Sequence, residues 1–184
     1  MADRRSPNAQ FRCFAACWPD EATRSRLDRA AALAHALHPR ARRVRRDNLH
    51  LTLAFIGELP EAGARQAAQA LRGIELEPFA WTLDHIGRFE RARVLWASGP
   101  AQPHLAQLAE RVRGLLRDLQ IDFDRKPFAA HVTLLRDLPP GRAPGADERV
   151  EPIEAFAWPI HAALLLVSER DARGATLYRV LDPR

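Results

Sequence analysis

The chain has 184 residues, of which 47% are apolar and 28% are charged, and it carries a formal net charge of +5. This length suits a single domain, and so large an apolar fraction excludes an intrinsically disordered chain. No apolar run approaches the roughly 20 residues that a membrane-spanning helix needs, and the polar opening MADRRSPNAQ does not resemble a signal peptide. We therefore expect a cytoplasmic protein without membrane contact.

Hydrophobic periodicity predicts alternating strands and helices in the first half of the chain. The predicted elements are a strand from Phe11 to Cys17, a helix from Asp20 to His38, a strand from Leu49 to Ile56 and a helix from Glu61 to Gly73. Pro39 ends the first helix, because a proline cannot continue it. The two cysteines, Cys13 and Cys17, form no metal-binding pattern, and we expect them to be buried, reduced thiols.

The second half of the chain predicts a similar succession. The predicted elements are strands from Phe79 to Ile86 and from Arg93 to Ser98 around a turn at Gly87, a helix from Pro103 to Gln120, and strands from Phe128 to Arg136, from Ala162 to Ser168 and from Ala175 to Leu181. A segment rich in proline and glycine, from Pro139 to Gly145, is predicted to be a loop. The whole pattern is that of an α+β domain.

One short motif occurs twice, at His50–Thr52 and at His131–Thr133, each time as His-x-Thr followed by leucine. The offset between the two copies also carries the helix before the first copy onto the helix before the second. It likewise carries the strand from Arg12 to Cys17 onto that from Arg93 to Ser98. We interpret this as the duplication of a strand, helix and HxT-strand unit about a pseudo-two-fold axis. We expect one domain over residues 1–184, with two lobes and with the HxT strands side by side at its centre.

Each HxT strand presents its histidine and threonine on one face, because side chains two residues apart on a strand project to the same side. The apolar residues between them point into the core. Two imidazoles that share a cleft can act as general acid and general base near neutral pH, and threonine hydroxyls can donate hydrogen bonds to an anionic oxygen. This combination favours hydrolysis of a phosphodiester, in which one histidine removes a proton from water and the other protonates the leaving oxygen.

Two other interpretations of the paired motifs stay open. The two histidines can bind zinc, but a stable zinc site needs a third or fourth ligand and threonine is a poor one, so we expect no metal and no other cofactor. The second interpretation is a duplicated fold whose chemistry has decayed and which retains only a binding cleft.

The segments FRCFAACWPDE, DNLHLTLAFIGEL and KPFAAHVTLLRDL resemble the RNA 2',3'-cyclic phosphodiesterase family, also known as the 2'-5' RNA ligase family, within the 2H phosphoesterase superfamily. The similarity continues to the closing RDARGATLYRVL. The resemblance implies a bilobal α+β fold in which two antiparallel sheets flank a central cleft. It also implies metal-independent opening of a 2',3'-cyclic phosphate, on RNA or on a nucleotide, to a 2'-phosphate.

The resemblance implies a role for each residue of the two motifs. His50 is then the proton donor to the departing 3'-oxygen, and His131 is the proton acceptor that activates water. Thr52 and Thr133 are expected to hold the phosphate oxygens, and Arg136 matches a family arginine near the phosphate. A regular strand would turn Arg136 away from the cleft, because it lies an odd number of residues after His131, so a bulge or the end of the strand must bring it back.

Features outside the motifs are less specific. The segment RARRVRRDN at 40–48 holds five arginines, either as a solvated loop or as a contact to RNA phosphates. The rings of Phe14, Phe55, Phe128 and Trp96 are predicted to lie in the core, with Phe14 as the candidate to stack on a base.

The leading hypothesis is therefore an enzyme whose partner is an RNA or oligonucleotide with a 2',3'-cyclic phosphate end. One rival with related chemistry is 2'-5' RNA ligation, or another phosphodiester substrate of the same superfamily. A rival from a different class is a nonenzymatic RNA-binding module. We expect a monomer, because one chain already supplies both halves of the site.

Overall fold

The computed structural model of the chain describes residues 10–140 and 149–183. In chain order, these residues form β1 (Gln10–Cys17), α1 (Glu21–Leu37), β2 (Arg42–Arg43), a 3-10 turn (Arg46–Asn48), β3 (Leu51–Pro60), α2 (Glu61–Arg72), β4 (Phe79–Phe89), β5 (Val94–Ser98), α3 (Pro103–Asp118), β6 (Val132–Arg136), β7 (Arg149–Ile160), β8 (Leu164–Arg170) and β9 (Thr176–Val180). The predicted α+β class is confirmed. No helix within the described ranges is long and apolar enough to cross a bilayer.

The strands of the described residues form an antiparallel sheet that consists of two four-stranded halves. The first half has the order β3-β1-β8-β9 and the second has the order β6-β5-β4-β7, while β2 pairs with β6. The halves meet where Leu51 of β3 pairs with Val132 of β6. The two antiparallel sheets that we expected around a cleft are therefore present, and this pair makes them continuous.

The two halves also repeat one another along the chain. The offset between the motif histidines also separates the end of α1 from the end of α3, and the start of β3 from the start of β6, so the predicted duplication holds for these elements. β1 and β5 differ from that offset by one position, because Ala16 of β1 pairs with Thr52 whereas Trp96 of β5 pairs with Thr133. The strand from Arg12 to Cys17 is thus equivalent to residues 92–97, one position before the predicted strand from Arg93 to Ser98.

The helices cross between the halves on one face of the sheet. α1, which follows β1, packs against β6 and β7 of the second half, whereas α3 packs against β3 of the first half and α2 covers β1 and β8. Apolar side chains of all three helices, such as Leu27, Leu71 and Leu108, share one core cluster with Leu51 and Val132. Within the described ranges no helix covers the opposite face of the junction, and the motif histidines lie there.

Local sequence explains where the helices begin. The Asp20 side chain accepts a hydrogen bond from the Thr23 amide at 2.7 Å at the start of α1, and Glu21 follows in the first turn. An acidic first turn and a capping carboxylate both stabilise a helix N-terminus. α3 begins with Pro103, whose missing amide hydrogen is not needed at that position.

Two features of the second half differ from the prediction. The sequence does not predict β7, because Pro152 and Pro159 interrupt its pattern, and a strand tolerates them there because β7 lies at an edge of the sheet. The turn predicted at Gly87 is wrong, since this residue lies inside β4 opposite Trp96. A Cβ at Gly87 would lie 2.0 Å from the Trp96 ring. The glycine is therefore needed for the indole to cross the strand.

The remaining predictions concern the cysteines and the proline- and glycine-rich loop. Cys13 and Cys17 are buried free thiols, as predicted, and burial raises the pKa of each to about 12. Residues 1–9, and the predicted proline- and glycine-rich loop from residue 141 onward, lie outside the described residues.

Candidate active site

The two HxT motifs meet where the halves of the sheet join. The antiparallel pairing of β3 with β6 brings His50 beside Thr133 and Thr52 beside His131, and each of these pairs lines a cavity. The alternate positions of both strands face the core, as predicted, and are almost completely buried: Leu49, Leu51, Leu53, Val132 and Leu134. Both imidazoles and both hydroxyls are half-buried and lie on the side that the helices leave uncovered.

His50 is held by hydrogen bonds and by two aromatic rings. Its Nδ1–H donates to the main-chain oxygen of Asn48 at 2.7 Å, and its Nε2 lies 3.0 Å from Oγ1 of Thr52. Because a carbonyl oxygen can only accept, this contact fixes the tautomer of the neutral ring, with Nε2 as the unprotonated nitrogen. The ring centroid lies 4.7 Å from that of Phe14 and 5.1 Å from that of Tyr178, which approaches edge-on.

Asn48 also ties β9 to the first motif. Its side chain is buried, with Nδ2 donating to the main-chain oxygen of Thr176 at 2.8 Å and Oδ1 accepting from the amide of Tyr178 at 2.9 Å. These two bonds use both ends of the amide, and they bring the Tyr178 ring against His50.

His131 is held in a related way by the second half. Its Nδ1–H donates to the main-chain oxygen of Ala129 at 2.8 Å, at the same spacing as in the first motif. Its ring meets that of Phe89 edge-on at 5.0 Å, and Phe89 lies 5.1 Å from Trp96. In both motifs the main chain holds Nδ1, so Nε2 is the nitrogen that can exchange a proton with a substrate; in His50 this nitrogen also lies beside Oγ1 of Thr52.

The environment lowers the pKa of both imidazoles. Burial is the largest cause for each, the charge of Arg136 lowers both further, and the main-chain hydrogen bonds oppose these effects. The pKa of His50 falls from 6.5 to about 4, with a contribution from the charge of His131. An anion bound between the two rings would favour the protonated forms.

A β-bulge in each HxT strand decides which side chains reach the cleft. Leu53 of β3 and Leu134 of β6 are extra residues relative to the neighbouring strand, and both are buried. Each bulge shifts the alternation by one residue, so Phe55 and Arg136 return to the face that carries the threonines. This is the irregularity that the spacing between His131 and Arg136 required.

Arg136 is one of five arginines that line a cavity at the motif junction. This arginine-rich cavity has a volume of about 600 Å³, and its lining includes His50, Thr133, Arg42, Arg43, Arg45, Arg136 and Arg170. It adjoins a space that is also lined by Arg12, Thr52 and Phe55. The guanidinium of Arg136 has no hydrogen bond or ion pair with any residue in the described part of the chain. A half-buried guanidinium in this state is available to an anionic ligand.

The basic stretch at 40–48 is mostly bound to carboxylates. The ion pairs are Arg42 with Asp137, Arg43 with Asp28, Arg45 with Asp171 and Arg46 with Glu21. They tie the stretch to α1, to the end of β6 and to the β8–β9 turn, which favours a structural role. A contact between this stretch and RNA phosphates stays a prediction.

Three residues at the site were not among the predicted site residues. Phe55, which we expected in the core, is 39% exposed on the cleft face, so that prediction is wrong. Asn48 stands two residues before His50, a spacing that could have suggested a contact with its ring. Tyr178 had no such signal, because it meets the site through β9. Phe14 and Trp96 are buried as predicted.

The cleft offers imidazoles and hydroxyls, with a guanidinium beside them. Among residues 10–140 and 149–183, no group of three or more histidine, cysteine, aspartate or glutamate side chains is arranged to hold a metal ion.

Comparisons with known proteins match both the sequence and the fold. A family model described as "LigT like Phosphoesterase" matches residues 18–96. The RNA 2',3'-cyclic phosphodiesterase of Escherichia coli (strain K12) is 38% identical over 144 residues, which cover 76% of this chain and 77% of that protein. The protein of the same name from Thermus thermophilus is 36% identical over 146 residues, with coverage of 73% and 70%.

Solved structures give the same relationship. The crystal structure of E. coli LigT complexed with 3'-AMP superposes with a TM-score of 0.77 at 30% identity and covers 95% of this chain and 97% of that one. The crystal structure of TT0787 of Thermus thermophilus has a TM-score of 0.69 at 30% identity, with coverage of 93% and 95%.

Proposed function

The chain belongs to the LigT-like phosphoesterase family, and we propose that it hydrolyses RNA 2',3'-cyclic phosphates to 2'-phosphates without a metal ion. The family resemblance drawn from the HxT segments is confirmed at this level. The proposed activity is supported by the name of its E. coli and Thermus relatives and by the chemistry of the cleft.

In the proposed reaction His131 is the proton acceptor and His50 the proton donor. Nε2 of neutral His131 takes a proton from water, and the water oxygen forms a bond to phosphorus. The bond from phosphorus to the 3'-oxygen breaks, and that oxygen takes a proton from Nε2 of protonated His50. The product is a 2'-phosphate, and exchange with solvent returns both rings to their starting states. Nδ1 of each ring keeps its main-chain hydrogen bond throughout, so protons move only at Nε2.

The reacting phosphate carries negative charge, which the remaining site residues balance. Thr133 donates its hydroxyl hydrogen to a nonbridging oxygen, and Thr52 can do the same once protonation of His50 releases its hydroxyl from Nε2 of that ring. Arg136 supplies a positive charge that no residue in the described ranges neutralises. Fixed donors of this kind stabilise the transition state, because they need no reorganisation during the reaction. The bound phosphate also raises the pKa of His50, which burial lowers to about 4, and so allows this ring to carry its proton.

The observation that carries the proposal is the matched pair of imidazoles. Two histidines from duplicated strands have the same main-chain hydrogen bond at Nδ1, which leaves Nε2 of each as the proton-transferring nitrogen, and one unpaired guanidinium lowers the pKa of both. Binding alone needs no second imidazole with a matched tautomer, whereas acid–base catalysis needs two. The proposed partner is an RNA end, and the proposed location is the cytoplasm. We propose a monomer, since the two motifs of one chain supply both histidines of the site.

The decisive experiment incubates the protein with adenosine 2',3'-cyclic phosphate in excess EDTA and identifies the product by ³¹P NMR. We expect adenosine 2'-phosphate, and no activity from a His50→Ala/His131→Ala double variant. A 3'-phosphate product, or turnover only after a divalent ion is added, would contradict the proposal. Binding of a cyclic-phosphate RNA without turnover would favour the RNA-binding module. Joining of that RNA to a 5'-hydroxyl RNA, with little hydrolysis, would favour the ligase.

A further inference from the structure

Helix α1 leaves two leucines in water, although its other leucine, Leu27, is fully buried. Leu33 is 63% exposed and Leu37 is 60% exposed, and the two lie one helical turn apart on the same face. Within the described ranges, Phe55 of the catalytic cleft is the one other large apolar side chain that is exposed. An apolar side chain in water forgoes the free energy of burial, so a ligand that covered these two leucines would gain it.

The two leucines line a groove between α1 and β7. This α1–β7 groove has a volume of about 390 Å³, and apolar side chains of the sheet also line it: Ile86, Pro152, Ile153 and Phe156. Ala30 and Ala34 of α1 line it as well, and their short side chains leave room there. Ligand pockets usually span roughly 300–1,000 Å³ and are mostly apolar, so the groove is large enough for a small ligand.

The charged side chains of the groove are Arg26, Arg29 and Glu154. Arg26 lies 3.9 Å from the carboxylate of Glu154, whereas Arg29 has no hydrogen bond or ion pair with any residue in the described part of the chain. Both arginines lie in the turns of α1 before Leu33 and Leu37, so the α1 wall is cationic at one end and apolar at the other. A ligand with a negative head and an apolar tail complements this arrangement.

The rest of the chain offers little to fill the groove. Residues 1–9 and 141–148 contain Met1 but no leucine, isoleucine, valine or aromatic residue. A membrane surface is a poor match too, because recognition of anionic lipids uses clusters of roughly four to eight lysines or arginines. The groove has two arginines, and one of them faces a carboxylate. A small free ligand therefore fits the groove better than either.

We propose that the α1–β7 groove binds a free, single-chain carboxylate of the medium-chain fatty-acid class. Its alkyl chain lies along Leu33 and Leu37, and its carboxylate contacts the guanidinium of Arg29. From Arg29 to Leu37 the helix rises about 12 Å, at about 1.5 Å per residue, which suits an extended alkyl chain of medium length. The groove lies on the helix side of the sheet, opposite the motif histidines, so this inference does not depend on the proposed function.

The test measures the binding of sodium decanoate to wild-type protein by calorimetry, below the concentration at which decanoate forms micelles. We expect one molecule to bind per chain, with an affinity that rises from hexanoate to octanoate to decanoate. Decyltrimethylammonium has the same chain with the opposite charge and should bind much more weakly. In ¹H–¹⁵N NMR spectra, the shifts caused by decanoate should fall on α1 and β7 and spare the HxT strands.

Variants separate the contribution of the charge from that of the leucines. Arg29→Ala should raise the Kd for decanoate about tenfold or more, because a charge-assisted contact is lost. Leu33→Ser/Leu37→Ser should also raise it about tenfold or more, because the alkyl chain loses its apolar wall. These positions are exposed, so both variants should keep wild-type stability in urea denaturation. Arg72→Ala, at an exposed position on α2, is the matched control and should bind decanoate as the wild type does.

The inference fails if decanoate binds no better than decyltrimethylammonium, or if both variants bind decanoate with the wild-type Kd. NMR shifts confined to the HxT strands would place the amphiphile in the catalytic cleft instead. A wild-type dimer that Leu33→Ser/Leu37→Ser dissociates, measured by sedimentation velocity, would assign the groove to a second copy of the chain. Binding to vesicles of anionic phospholipid without binding to decanoate would assign it to a membrane surface.

Discussion

The Nδ1–H of His50 donates to the main-chain oxygen of Asn48 at 2.7 Å, and the side chain of Asn48 binds the main chain of β9. The equivalent residue of the second half is Ala129, which accepts from His131 but has no polar side chain. The first histidine is therefore coupled to β9, and through it to Tyr178, whose ring approaches the imidazole edge-on. Asn48 is a positioning residue, since it acts on the reaction through His50.

Asn48→Ala should lower kcat about tenfold with little change in KM, because Tyr178 loses its fixed placement against His50 while the main-chain hydrogen bond of His50 and the phosphate contacts remain. It should also destabilise the fold by about 1–3 kcal/mol, the usual effect of leaving buried hydrogen-bonding groups unpaired. Steady-state kinetics and urea denaturation measure the two effects.

Tyr178 variants separate positioning from general stability. Tyr178→Phe should behave as wild type, because the hydroxyl has no hydrogen bond within the described residues. Tyr178→Ala should lower kcat as Asn48→Ala does, and the double variant should lose less than the product of the two single effects. Fully multiplicative losses would show that Asn48 does not act through Tyr178.

Substitution of either motif histidine tests the acid–base roles. His50→Ala and His131→Ala should each lower kcat by about 10²–10⁴, the usual contribution of a general acid or base. KM should change much less, since the threonines and Arg136 still bind the phosphate. The exposed His161 provides the control, and His161→Ala should leave the kinetics unchanged. A single histidine variant with near-normal kcat would exclude that residue from the reaction.

The sequence predicts the centre of this molecule better than its edges. His50 and His131 could be placed on one face because the apolar residues between and around them define the buried face. The bulges at Leu53 and Leu134 could not be predicted, because the next residue is alanine in one strand and leucine in the other, so both alternations look equally apolar. Phe55 was misplaced for the same reason.

The contacts of β9 could not be predicted from the sequence, for a different reason. Asn48 meets Thr176 and Tyr178, which lie near the opposite end of the chain. No local pattern reports a hydrogen bond between elements so far apart. β7 was missed because its prolines are compatible with a strand only at the edge of a sheet, and edge position is a property of the whole topology.

Arg136 should bind the phosphate and tune both histidines. Arg136→Ala is expected to raise KM about tenfold or more, because a charge-assisted contact to phosphate is lost. Arg136→Lys should recover part of this loss, since it restores the charge without the planar pair of donors. Arg173→Ala, at an exposed position in the β8–β9 turn, is the control. Equal kinetics for Arg136→Ala and wild type would remove this residue from the site.

Gly87 supports the His131 side of the cleft through Trp96. A Cβ at this position would meet the indole at 2.0 Å, so Gly87→Ala must displace Trp96 and with it Phe89, which touches His131. Overpacking of this kind costs about 1–3 kcal/mol, measurable by urea denaturation, and kcat should fall as well. Gly63→Ala in α2 is the matched control, since its Cβ meets nothing within 4 Å. Equal stability of the two variants would contradict the close packing at Gly87.

The lowered pKa values set the pH dependence of the reaction. The free enzyme must hold His50 protonated and His131 neutral, and both pKa values lie below the ordinary 6.5. kcat/KM should therefore peak below pH 6.5 and fall as the pH rises past that peak, because fewer His50 rings keep their proton.

The profile of kcat should lie at higher pH than that of kcat/KM, because the bound phosphate favours the imidazolium form. Arg136→Ala should move the kcat/KM profile to higher pH as well, since it removes a positive charge that lowers both pKa values. The measurement is a set of initial rates across the acid and neutral range at constant ionic strength. A kcat/KM peak above pH 6.5 in the wild type would contradict the lowered pKa values of His50 and His131.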